Sequence, residues 1–122
     1  MAVASLLHQR IVRDSISRAQ LSAIASAQFG DMVKGVVDVS RGIMAIGGEL
    51  HSDDEAALLD DGSQQADLWG INLYPGESGD AWIEFDSMIN VRPAQGNRSR
   101  GVESAELRDA IRRVVHALVS AT

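Results

Sequence analysis

Apolar residues recur along this chain at two different periods. Leu21, Ile24, Ala25 and Phe29 keep a helical spacing behind Ser17-Arg-Ala-Gln20, where serine and glutamine are spaced to cap each other's backbone N–H groups. Gly30 follows as a left-handed stop, so the spacing predicts a helix of about three turns. The strongest periodicity comes later: Leu107, Ala110, Ile111, Val114, Val115 and Leu118 form one stripe, with Ser104 as N-cap and Glu106 in the first turn. The opposite face of that helix carries Arg108, Asp109, Arg112, Arg113 and His116 and reads as solvated.

Between the two helices the period falls to two. Val33, Val37 and Val39 alternate with Lys34 and Asp38, and Met44, Ile46 and Leu50 alternate after Arg41-Gly42. With Arg41-Gly42 as a hairpin loop, Val39 faces Met44, Val37 faces Ile46 and Val33 faces Leu50 on the core side. Lys34 then faces Glu49 and Met32 faces His51 on the other side. Gly35 falls opposite Gly48 on the core side, leaving room there for a large ring such as Trp69 or Phe29. Ser52-Asp-Asp-Glu55 matches a capping box and allows a short helix over 56–59, but Asp61-Gly62-Ser63 looks like a hairpin turn and favours a short strand. Leu68 to Tyr74 reads as a strand with Trp69, Ile71 and Leu73 on one face. Trp82 to Val91 reads as the last strand, with Ile83, Phe85, Ile89 and Val91 inward, and a polar loop runs from Pro93 to Gly101.

These elements assemble into an α+β fold, an antiparallel sheet of about four to five strands with two helices packed on one face. The other face is mixed: Met32, Val36, Tyr74, Trp82 and Met88 are interspersed with Lys34, Glu49, His51, Asn72, Glu84, Asp86 and Arg92. That is too apolar for plain solvent and too polar for core. A ligand cleft or a homodimer surface is expected there.

Composition narrows the function classes. At 122 residues, 45% hydrophobic and 23% charged, the chain reads as a single globular domain, with residues 1–10 as a disordered or helical extension. Absence of cysteine removes disulfides, thiolate metal sites and cysteine nucleophiles, and a cytoplasmic protein with no membrane segment is expected. Net charge is −6, unevenly spread: +1 over residues 1–40, −10 over 41–88 and +3 over 89–122. An acidic middle argues against a broad nucleic-acid footprint.

Two clusters carry candidate chemistry. Glu49 and His51, two apart on a strand, would share a face and could act as an acid/base pair or metal ligands, with Asp53 or Asp54 reaching back from the turn. The plainer account pairs Glu49 with Lys34 and leaves His51 at a strand end. The second cluster is the loop Arg92-Pro-Ala-Gln-Gly-Asn97-Arg98-Ser-Arg100-Gly. There guanidiniums and glycine-freed N–H groups ahead of a helix N-terminus suit a small anionic ligand. It has no Walker or Rossmann spacing. The acidic run Asp53-Asp54-Glu55 with Asp60-Asp61 lacks calcium-loop spacing and reads as solvated turns. Cofactor and metal are left unassigned.

The stretches Gly42-Ile-Met-Ala-Ile-Gly-Gly-Glu-Leu-His51, Asp67-Leu-Trp-Gly-Ile-Asn-Leu-Tyr-Pro75 and Ile89-Asn-Val-Arg-Pro-Ala-Gln-Gly-Asn-Arg98 resemble a small prokaryotic family catalogued only as a domain of unknown function. The resemblance runs from about Ile11 to the end and implies a free-standing domain, with no activity or catalytic residue to carry over. On chemistry alone the leading expectation is a binding or interaction domain with an anion pocket around Arg92, Asn97 and Arg98. The rival is a hydrolase in which Glu49 and His51 act while Arg92 and Arg98 hold an anionic substrate.

Overall fold

The computed structural model describes residues 8–121; residues 1–7 and 122, and with them most of the expected N-terminal extension, lie outside the described residues. Strands β1 (Arg10–Val12), β3 (Val33–Asp38), β4 (Ile43–Ile46), β5 (Leu68–Leu73) and β6 (Ile83–Glu84) form an antiparallel sheet in the order β1-β4-β3-β5-β6. Two further strands, β2 (Ile16–Ser17) and β7 (Val119–Ser120), pair in parallel. They tie the start of helix α1 (Arg18–Ala27) to the end of α3 (Ala105–Leu118).

Both helices form where their caps and stripes place them. Ser17 and Gln20 close the expected capping box, and Ser104 accepts from the Leu107 N–H. Leu21, Ile24 and Ala25 of α1 and Ile111, Val115 and Leu118 of α3 pack on one face of the sheet against Val37, Met44, Trp69 and Ile71. Phe29, beyond the helix end, stays exposed. The α+β class, the antiparallel sheet and the two helices on one face are as expected.

The opposite face is where the chain departs from expectation. Residues 51–60 form a third helix, α2 (His51–Asp60), not a strand. The Asp53 carboxylate accepts the Leu50 N–H at its start. At its end Gly62, with φ of +103°, lets Gly62 N–H donate to Leu59 O and Ser63 N–H to Leu58 O. Asp61-Gly62 is therefore a helix stop, a role whose local chemistry resembles a hairpin turn. Leu58 docks this helix on Val36, Ala45 and Leu68 in a second, smaller core.

Two other assignments are corrected. The β3–β4 register pairs Val37 with Met44 and Gly35 with Ile46, two residues from the expected pairing, so the strand residues keep their faces while the loop lengthens. Strand β4 stops at Ile46, and Leu50, expected opposite Val33 on the core side, is instead exposed ahead of α2. Gly35 consequently packs on Ile46, not opposite Gly48. Buried Asp38 sets that loop: its Oδ1 accepts the N–H groups of Ser40 and Arg41, its Oδ2 accepts Ser63 Oγ at 2.6 Å, and its carbonyl accepts Gly42 N–H. The expected strand over 82–91 survives only as β6. Beyond it Ser87 lies over Gly70, where an added Cβ would come within 2.5 Å of Ser87 Cβ. Asn90 completes the exposed edge of β5, its Oδ1 accepting Gly70 N–H at 2.8 Å and its Nδ2 donating to Gly70 O at 3.0 Å. One side-chain amide thus replaces a neighbouring strand. No helix among the described residues is long and apolar enough to cross a membrane.

Candidate functional site

Helix α2 covers only one end of its sheet face. Lys34 of β3, Asn72 of β5 and Glu84 of β6 stand side by side in register at the other end, forming the floor of an open cleft of about 530 Å³. Leu50, His51 and Ser52 at the start of α2 make one wall, and Asp86 to Ile89 make the facing one. Met32, Tyr74 and Arg100 complete the rim. Most of the mixed surface legible in the strand pattern is here. Val36 has gone under α2, and Trp82 lies in the opposite core beneath the Arg18 guanidinium.

The polar groups of the cleft form a directed network. Asn72 Nδ2 donates to Glu84 Oε1 at 2.8 Å and to the Asp86 carbonyl at 3.3 Å, and Tyr74 Oη donates to the same Glu84 oxygen at 3.1 Å. Arg100 Nε holds Asp86 at 2.8 Å. The amide orientation of Asn72 follows from its partners, since both are acceptors and need the NH2 group. Its Oδ1 is left buried without a donor, on a residue only 6% exposed. His51 Nε2 lies 2.9 Å from the Ile71 carbonyl, which requires a proton on that nitrogen. Burial lowers the ring's proton affinity from the ordinary 6.5, outweighing the carbonyl and Asn72, which favour the charged form. A neutral His51 has no second N–H to offer Asn72. Tyr74 is held above its ordinary value, first by burial and then by its bond to Glu84 and the charges of Glu84, Asp31 and Asp86.

The residues singled out from the sequence are dispersed. His51 lines this cleft, whereas Glu49 lines a separate one of about 430 Å³ with Gln28, Phe29 and Lys34. Arg92 and Arg98 line neither. Arg92 is instead an internal clamp: its guanidinium donates to the carbonyls of Ile89, Gln65 and Leu68, lies 4.5 Å from the Trp69 ring centre and approaches Glu55 at 3.9 Å. Buried Asn97 bonds the carbonyls of Asn90, Ser99 and Gly101 and accepts Glu103 N–H. The N–H groups of Arg98 and Ser99, the anion cradle expected in this loop, donate to the Glu103 carboxylate at 2.7 and 2.9 Å. Those bonds hold Glu103 below its ordinary value. The loop's anion is the chain's own, and only Arg100 of the loop set reaches the cleft.

The acidic run also has assigned work. Asp53 caps α2, and Asp61 bridges Arg13 and Arg41, which hold it down at about 2. Asp54 is buried, with Oδ1 accepting Gly48 N–H and Gln9 Nε2, and burial raises it to about 7. Among the described residues no group of three or more His, Cys, Asp or Glu could hold a metal ion. Asn72, Tyr74 and Glu84 were visible in the sequence as members of a mixed face. Their grouping into a site depended on the helix that closes half of it.

No curated protein and no solved structure matches the chain. One family does, over residues 10–118, nearly the whole length and including every element of the cleft. With its strand-borne floor and all three stretches noted above inside that match, the chain belongs to the family described as Protein of unknown function (DUF5674).

Proposed function

We propose that this domain is a binding module whose site is the half-covered sheet face. The observation that carries the reading is the Lys34–Asn72–Glu84 floor: a half-buried, a buried and an exposed polar group side by side on paired strands, walled by Met32, Leu50 and Met88, in a cleft of small-molecule size. Rigid strands and a helix end place these groups, as a preformed site needs. The anion loop contributes little to this reading because Glu103 already fills its cradle. The hydrolase reading is weaker still, since Glu49 and His51 line different clefts and His51 spends its N–H on a backbone carbonyl.

The test is a fragment screen on isotope-labelled full chain by NMR. Hits are expected to move the resonances of Lys34, His51, Asn72 and Glu84 together. Ser52→Trp, at an exposed position on the cleft wall, should abolish those shifts without unfolding the protein. Hits that gather instead at Arg98 to Glu103, or a Ser52→Trp variant that binds as before, would remove the proposal.

A further inference from the structure

The charges around the cleft distinguish what kind of ligand it suits. Beside it opens a second hollow of about 440 Å³, lined by Asp31, Glu77 and the shared Tyr74 and Glu84. Among the described residues, Asp31, Glu77 and Glu84 form no ion pair. The nearby cations face other groups. Arg100 is held by Asp86, Lys34 lies 5.0 Å from the Phe29 ring centre, and Arg18 donates to the Pro75 and Glu77 carbonyls. Among the described residues, Glu84 itself is hydrogen-bonded by neutral groups, Asn72 and Tyr74. The Tyr74 end of the cleft is therefore acidic, and among the described residues the carboxylates of Asp31, Glu77 and Glu84 have no ion-pair partner there; Lys34 lies across Asn72 from Glu84, toward His51.

The acidic field is not the only pointer. Asn72 stands next to Glu84 in the floor, and its Oδ1 is an acceptor buried without a donor while His51 is neutral; its orientation is dictated by the two acceptors its NH2 group already serves. A buried carbonyl oxygen without a donor is costly enough that native structures rarely leave one unpaired. What it lacks is an N–H or O–H group. The carboxylate beside it, the Tyr74 ring and the surrounding acids all favour that donor being positively charged. Exposed Met88 and Leu50 and half-buried Met32 line the way out and suit a hydrocarbon chain.

Resting on the binding reading above, we propose that the cleft takes a small alkylammonium compound, its ammonium group between Glu84, Asn72 Oδ1 and the Tyr74 ring and its alkyl chain along Met32 and Met88. An ammonium group brings three N–H donors. The net charge of −6 draws such a cation in from solution.

Calorimetric titration of the full chain with n-hexylamine, 1-hexanol and hexanoate, at low salt and pH 7.5, tests this. Hexylamine is expected to bind at least tenfold more tightly than the other two, to weaken as salt is raised, and to shift the Asn72 side-chain amide resonances in a parallel NMR titration. Glu84→Gln keeps the oxygen that Asn72 and Tyr74 bond and should lose roughly tenfold in hexylamine affinity while binding hexanol unchanged. Hexanol or hexanoate binding as tightly as hexylamine at the cleft would overturn the ammonium assignment and leave the binding module standing. If none of the three shifts a cleft resonance at millimolar concentration, both proposals fall. An unchanged hexylamine affinity in Glu84→Gln would also overturn the assignment.

Discussion

Asp54 offers the sharpest quantitative test of how this fold is held. Its carboxyl lies between α2 and the Gly47-Gly48 turn, where an added Cβ on Gly48 would come within 2.8 Å of its Oδ1. Oδ1 has two donors, Gly48 N–H at 3.0 Å and Gln9 Nε2 at 3.2 Å, but Oδ2 is buried with no partner. Loss of solvent outweighs those bonds and raises the group from 3.8 to about 7. Between those two values the folded chain holds a proton that the unfolded chain has released, so stability falls as pH rises through this window. At about 1.4 kcal/mol for each tenfold change in proton affinity, the full interval is worth about 4 kcal/mol. Asp54→Asn keeps the acceptor oxygen and cannot ionise. Urea unfolding at several pH values should give variant and wild type equal stability near pH 4.5 and a variant more stable by about 3–4 kcal/mol at pH 8. The Asp61 contribution acts in the opposite sense and in a different window. Its lowered value means stability lost as pH drops from about 4 toward 2, outside the range compared. Parallel stability–pH curves for the two proteins would refute the reasoning.

Further outcomes follow from the same geometry. Gly70→Ala forces a Cβ against Ser87 and should cost about 1–3 kcal/mol by urea unfolding. Arg92→Lys loses the planar fork that reaches three carbonyls and should destabilise by about 2 kcal/mol while leaving hexylamine affinity unchanged, a combination that calorimetry and urea unfolding together would detect. Glu103→Ala empties the Arg98–Ser99 cradle and should create phosphate binding, seen as a phosphate-dependent rise in Tm that the wild type lacks. Amine affinity should hold steady from pH 8 to 6.5 and fall below it. Protonated His51 brings positive charge to the cleft and offers Asn72 a donor; His51→Gln should flatten that profile in the same calorimetric titration.

The helices at Arg18–Ala27 and Ala105–Leu118 were legible because everything that specifies them lies within a few residues: Ser17 with Gln20, Ser104 with Leu107, and stripes of helical period, the first broken only at Gln28. The faces of β3, β4 and β5 were legible for the same reason, and they survived a register error because a shift of two preserves parity. Helix α2 was not, since Asp61-Gly62 terminates helices and turns hairpins with the same left-handed glycine, and only the docking of Leu58 on Val36 and Ala45 distinguishes the two.

The site divides in the same way. Local alternation along each strand determined that Met32, Lys34, Asn72, Tyr74 and Glu84 share a surface and that this surface is neither core nor solvent. Tertiary structure alone decided which arginines were free to meet a ligand. Arg92 was drawn inward by carbonyls of residues 65, 68 and 89, and the anion cradle was filled by Glu103. A guanidinium or an N–H pair looks the same in sequence whether its partner is a ligand or the chain's own oxygen. Only the folded path of the backbone brings that oxygen within reach, and here, among the described residues, it left the carboxylate of Glu84 with neutral hydrogen-bond donors and no ion pair.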